Sequence, residues 1–229
     1  QQPNVRVMVI LSGDQKLVFI NTDAVGAGNI IQEGIKSAIA AKIGVAKDNI
    51  LSGQTHSHAG ADLQGLWGGV PKSWKQALYA AAGNAAKQAL DNAVDAKIVY
   101  ASDILDMPSF NNYRREDETN GTDKRMTLLQ AKNHATGDVI GTVVQYSAHP
   151  TIIGGSQRVN SDFVRALQIA TEKQGGIALF FNGVIADASS NTGAGEPPAG
   201  SNDEQEADAY GTAMGKKVVT ILRNKAKPV

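Results

Sequence analysis

The chain contains no cysteine. That removes disulfides, thiolate catalysis and sulfur-ligated zinc together, and leaves His, Asp, Glu and Tyr as the side chains able to hold a metal. Both an intracellular and an exported setting fit a cysteine-free protein, so the compartment stays open. Excess charge of either sign is also missing: 22 basic and 22 acidic residues cancel. With no basic stripe and no acidic tail, nucleic acid is excluded as a partner. No apolar run approaches the length of a membrane span, and no leader segment is visible. The chain opens at Gln1-Gln2-Pro3 and enters a strand-like run almost at once, as a mature or trimmed terminus would. Aromatic residues make up 5% and histidines number four, so where histidines cluster becomes informative.

What remains is ordinary globular material, 229 residues with 42% apolar and 19% charged content. This suffices for a real core and fits a single α/β domain over residues 1–229. Val5–Leu11 and Lys16–Asn21, split by Ser12-Gly13-Asp14-Gln15, predict a hairpin. Asn29–Ile43 carries an isoleucine stripe ended by Gly44, and Ile50-Leu51 follows as a short strand. The order is that of a βαβ unit. A helix is expected over Lys72–Ala93, with Trp74, Leu78, Ala81, Ala85 and Ala89 facing inward. Strands follow at Lys97–Ala101, Met126–Ala131 and Val139–Tyr146, then a helix from Asp162 capped by Ser161 or Asn160. An apolar strand Ile177–Phe181 and a last helix from Asp203 complete the pattern. The predicted fold is a mixed β-sheet flanked by helices, with the site at strand ends.

Three strand exits concentrate the polar chemistry. The first is Thr55-His56-Ser57-His58-Ala59-Gly60. In an extended segment, residues i and i+2 share a face, so His56 and His58 can reach one point, one as a metal ligand and the other as a proton-handling neighbour. The alternative is a pair of solvated loop histidines. The second exit is His149-Pro150-Thr151, and the third is Ala186-Asp187-Ala188-Ser189-Ser190-Asn191. Two imidazoles from separate loops suit zinc, which accepts nitrogen donors in tetrahedral geometry. Asp187, Asp23, Glu204, Glu206 and Asp208 are candidates for a further ligand. Asp23 reads equally as a turn or cap residue. Ser189 is either a loop hydroxyl or a nucleophile, with no Gly-x-Ser-x-Gly elbow to support an ordinary serine hydrolase. Trp67 plugs a core edge or touches substrate. His134 lies in a turn and stays outside the site. Arg114 and Arg115, after Asn111-Asn112-Tyr113, form either a solvated stretch or an anion clamp.

Taken together, the Thr-His-x-His-x-Gly segment, the His-Pro-Thr segment and the Asp-x-Ser segment before Asn191 resemble the N-terminal catalytic domain of the neutral/alkaline, non-lysosomal ceramidase family. The three stand in the family's order from about Val5 to the last helix. The resemblance implies a zinc-dependent amidohydrolase that splits a ceramide-like lipid amide into a sphingoid base and a fatty acid, in a secreted or periplasmic location with access to substrate at a membrane surface. It implies His56 and His149 as zinc ligands, His58 beside the metal, Ser189 as catalytic serine, Asp187 in the same turn, and Arg114 or Arg115 as the arginine. Two departures are visible: Ala186 replaces a glycine and Ser190 a proline, which changes the shape of the catalytic turn. The family's glutamate and tyrosine ligands belong to a more C-terminal portion. The chain is therefore expected to be a piece of a longer protein or a minimal divergent member, its metal site completed by a companion segment or chain. A non-catalytic binding domain and a different metallo-esterase or phosphoesterase are the alternatives.

Overall fold

The computed structural model describes residues 4–105, 123–154, 159–185, 188, 190 and 199–229. Strands β1 (Val5–Ser12) and β2 (Gln15–Thr22) form the expected hairpin, paired from Val5↔Thr22 to Ser12↔Gln15. A short strand β3 (Ala24–Ala27) leads into helix α1 (Asn29–Ile43), whose Ile31, Ile35, Ile39 and Ile43 are all buried and which Gly44 ends at φ 60°. Strand β4 (Ile50–Gln54) then returns parallel to β2, so the βαβ unit is present. Strand β5 (Ala61–Leu63) pairs parallel with β3 as a separate ribbon. Helix α2 (Lys72–Asp91) follows.

The second half forms a five-stranded sheet. Strands β6 (Ala96–Ile104), β7 (Arg125–Asn133) and β8 (Val139–Tyr146) run antiparallel, and β9 (Ile177–Asn182) joins β8 in parallel after helix α3 (Phe163–Glu172). Helix α4 (Asp203–Lys225) and a two-residue strand β10 (Lys227–Pro228) on the β6 edge close the chain.

Strand alternation shows how the layers stack. Val7, Val18, Ile20 and Ile50 point to α1 and α2, whereas Met8, Phe19, Val143, Leu179 and Phe181 form a second cluster with the opposite parity. Met126, Leu128, Val144, Tyr146 and Phe180 face α3 and α4. The order is therefore helices, sheet, sheet, helices. The expected α/β class with flanking helices holds, and the mixed sheet is divided into two facing layers. This places β9, fully apolar as a central strand would be, at the edge of its own sheet. Its open edge is closed by Asn21, 1% exposed, whose Nδ2 donates to the Phe180 carbonyl at 2.6 Å. Arg6 and Glu172 pair across the same seam.

The inward face of α2 is wider than the expected stripe: Leu78 is buried and Trp74, Ala85 and Ala89 pack against the core, but Ala81 is exposed and Ala82, Gly83 and Ala86 are buried, because α2 packs on α1 as well as on β1. The α3 cap also differs: Asp162 rather than Ser161 or Asn160 accepts the Phe163 N–H at 2.8 Å.

Candidate metal centre

His56 follows β4 and His149 follows β8, so both lie at strand ends as expected. Their Nε2 atoms are 3.0 Å apart, and His58 Nε2 is 3.2 Å from His149 Nε2. The three ligating nitrogens lie within 4.8 Å of one another, with His56 half-buried, His58 exposed and His149 buried. Among the described residues no other histidine or acidic group joins this set. His58, expected beside the metal, stands level with the other two and could serve as a third donor.

The convergence is not built by strand alternation. Thr55 to Ser57 is irregular backbone, and His56 sits at φ 64°, the left-handed region that a non-glycine residue rarely adopts. Histidine is among the residues that tolerate it best, and the turn it makes swings His58 back toward His149. Neighbouring backbone holds that conformation in place. Thr55 N–H donates to Thr22 O and His56 N–H to Ala24 O, each at 3.0 Å, and His58 N–H reaches Pro150 O at 3.1 Å. Gly60 must lack a side chain here, since a Cβ would lie 2.9 Å from the Ala24 Cα and from the Ser57 carbonyl oxygen.

The ring orientations suit metal binding. His149 Nδ1 lies 3.1 Å from the Ile185 carbonyl and donates to it, so the Nε2 lone pair faces the cluster. Burial first, and the charge of His58 second, hold His56 below the ordinary histidine range, against a hydrogen bond to the Val25 backbone that raises it. At neutral pH its ring is an uncharged donor. Nitrogen lone pairs aimed at one point repel unless a cation or a proton sits between them.

Asp162 was absent from the sequence-based list and supports the centre from behind. It is 4% exposed and at φ 54°, and it accepts the Ile153 N–H at 2.7 Å as well as capping α3. It thereby pins the segment that leaves His149. Its neighbour Asn160 accepts from Ser57 Oγ at 2.8 Å and donates its N–H to Ala59 O at 3.0 Å, which locks the other histidine loop to the same support. Burial raises the Asp162 carboxyl, against hydrogen bonds from the backbone of Ile153, Phe163 and Ile152. The only hint in the sequence was a run of capping residues before an apolar helix. Asp162→Ala removes the cap and orphans a buried N–H, an expected loss of about 2–4 kcal/mol in denaturant unfolding. Asp162→Asn, which keeps one acceptor, should lose less. Equal stability of all three proteins would refute this role.

A cavity of about 290 Å³ opens beside His56, lined by Gly26, Gly53, Gln54, Gln64, Asn182 and other residues of the β3, β4 and β9 exits. Asn182 Nδ2 donates to Thr55 O at 2.7 Å, tying the end of β9 to the histidine loop. Asp23 is buried elsewhere, accepting the Asn4 N–H at 3.0 Å, and Asp208 lines a different hollow on α4. Neither Asp23 nor Glu204, Glu206 and Asp208 joins the histidine cluster. Trp67 is 70% exposed, so it does not plug a core edge. Ser189, Asp187, Arg114 and Arg115 lie outside the described residues.

No family model matches the sequence, and no curated protein matches it. Solved structures do. A ceramidase complexed with C2 aligns with TM-score 0.81 and 18% identity, over 97% of this chain and 39% of that one. A neutral ceramidase from Pseudomonas aeruginosa aligns with TM-score 0.80 and 19% identity, over 97% of this chain and 40% of that one. The likeness is one of fold, and the chain spans about two fifths of the length of these structures.

Proposed function

We propose that this chain is a zinc-dependent hydrolase of an N-acyl amide bond, acting on a ceramide-like lipid amide. The observation that carries the reading is the meeting of His56, His58 and His149 Nε2 at one point from two loops. Two nitrogens on a tetrahedral zinc stand about 3.3 Å apart, given Zn–N bonds of about 2.0–2.1 Å, and the separations of 3.0 and 3.2 Å fit that donor set. When bound, zinc would supply Lewis acidity toward an amide carbonyl and acidify water. The chain's own part is to hold the three rings. The Ile185 carbonyl fixes the His149 tautomer, and burial keeps His56 unprotonated. Gln54 and Asn182 offer neutral hydrogen-bonding groups to the polar part of a substrate in the adjoining cavity. Ser189 is assigned as nucleophile, Asp187 as a residue of its turn, and Arg114 as a clamp on the carbonyl side. The fold likeness to ceramidases supports the substrate class, and a secreted or periplasmic setting accompanies it.

Ser189→Ala is expected to retain zinc at the level of the parent chain while losing amide hydrolysis by about 100-fold or more. A variant that turns over at the parent rate would remove serine from the mechanism.

A second reading, that the site is completed by a further segment or a companion chain and is inactive alone, is favoured by the 39% and 40% coverage of the matched structures. Elemental analysis separates the two. Zinc in the isolated chain supports the first, and its absence supports the second.

A further inference from the structure

Three carboxamides, those of Gln54, Gln64 and Asn182, line the cavity beside His56, and no lining residue other than the histidine is ionisable. Burial, and then the charge of His58, keep the His56 ring uncharged at neutral pH. The cavity wall is therefore polar but neutral. Its two sides come from different sheets: Gly53 of β4 lies against the Phe181 ring of β9, where a Cβ would stand 2.5 Å from the ring. Gln54 and Asn182 are the next residues on those two strands.

The protein uses one end of each of these two amides. Asn182 Nδ2 donates to the Thr55 carbonyl at 2.7 Å, and since a carbonyl can only accept, that bond fixes which way the carboxamide stands. Its Oδ1 is buried and has no hydrogen-bond partner. Gln54 Oε1 accepts from Gln32 Nε2 at 3.1 Å, and Gln54 Nε2 is likewise buried without a partner. Gln32 stands in the first turn of α1 and does not line the cavity, so it acts there only through Gln54. These bonds leave one donor on the three-stranded sheet and one acceptor on the five-stranded sheet. A buried polar group without a partner is costly, so an occupant that completes both is selected over one that completes one or neither.

A secondary amide matches that pair. In its trans form the C=O and the N–H point in opposite directions, so one group meets a donor on one side and an acceptor on the other. An ester has no N–H to give. An ammonium or a carboxylate would bring a charge that nothing in this wall neutralises.

We propose that the cavity selects an uncharged secondary amide, its C=O on Gln54 Nε2 and its N–H on Asn182 Oδ1, with Gln32 as the positioning residue that sets the polarity of Gln54. The inference deepens the hydrolase reading by naming the group through which its substrate is held. Recognition itself requires neither zinc nor turnover.

The test uses the full chain in chelator, so that no probe is consumed. Three probes of one shape are titrated by calorimetry: N-propylbutanamide, the ester propyl butanoate and protonated N-propylbutylamine. The amide is expected to bind about tenfold or more tighter than either of the others, and to shift the side-chain NH2 resonances of Gln54. Gln54→Met should weaken the amide by about tenfold. Gln32→Glu has no proton to donate, so it turns the Gln54 carboxamide round; amide affinity should fall and amine affinity rise. Gln32→Lys still donates and should keep the preference for the amide. A merely structural Gln32 would instead weaken all three probes alike in both variants, which would remove its assigned role. Gln32 is partly exposed, so its variants should unfold near the parent midpoint and carry the test even if Gln54→Met does not fold. Equal affinity for the three probes, or binding of none, would overturn the proposal. So would a preference of the parent for the amine, which would mean that the Gln32–Gln54 pair stands the other way round. A chain that sorts the probes but hydrolyses no amide when zinc is restored defeats only the hydrolase reading. One that hydrolyses an amide yet does not sort the probes defeats only the selection proposed here.

Discussion

His149→Ala and His58→Ala should each lower zinc affinity by more than about 100-fold and abolish amide hydrolysis. Changes to groups that merely orient a ligand already cost about 10–100-fold, so loss of a donor nitrogen is expected to exceed that. The pair is informative because the two residues differ in burial, His149 at 8% exposed and His58 at the surface. Removing His149 also deletes the bond to the Ile185 carbonyl and leaves a hole, so a modest loss of stability in chelator accompanies the loss of metal. Removing His58, which is exposed, costs only its ring contacts with His56 and His149. Its unfolding midpoint in chelator should stay nearer the parent's than that of His149→Ala, and the main difference from the parent should come when zinc is added. Ligand-linked stabilisation of the parent reaches about 2.7 kcal/mol when zinc exceeds its dissociation constant by about 100-fold. If His58→Ala still gains that stabilisation, His58 lies beside the metal rather than on it. If His149→Ala gains it, the centre is elsewhere.

Gly211→Leu should destabilise the fold by about 3 kcal/mol or more, seen as a fall of roughly 6–12 °C in thermal unfolding. Helices α3 and α4 cross through small residues at four-residue spacing, Ala166 and Ala170 on one and Gly211 and Gly215 on the other. A Cβ at Gly211 would stand 2.1 Å from the Phe163 carbonyl oxygen and 2.8 Å from the Ala166 Cβ. Those atoms are backbone or short side chain and cannot rotate away, so α4 would have to lift. Beside the contact, Phe163 and Tyr210 rings pack at 4.9 Å, and truncation of the seal would spread through this core. An exposed helical glycine would gain about 1 kcal/mol on substitution by alanine. A gain in Gly211→Ala would therefore refute the close crossing. Because α3 begins at Asp162, which pins the segment after His149, a shift of this pair also reaches the metal centre.

Much of this molecule was legible locally. The isoleucine spacing of α1, the hairpin turn at Gly13-Asp14 and the apolar run of β9 are periodic signals carried by adjacent residues, and each element formed within two residues of its expected bounds. His56, His58 and His149 stood out because histidine is scarce here and each follows a strand. The full width of the inward face of α2 and the α3 cap were less legible, since partners distant in sequence chose among near-equivalent positions. The role of Asp162 in pinning Ile153 could not be read, because that partner lies across a loop and nothing in its neighbours reports a left-handed conformation.

By itself, then, the sequence determined the long strands and the helices, though not the short strands β3, β5 and β10, and which side chains could bind a metal. These depend on repeat spacing and side-chain chemistry, both properties of neighbouring residues. Only the tertiary structure decided that the strands divide into two facing sheets and that His58 joins the other two histidines. Each of these depends on distances between residues far apart in the chain, set when burial and backbone hydrogen bonding select one packing of the layers.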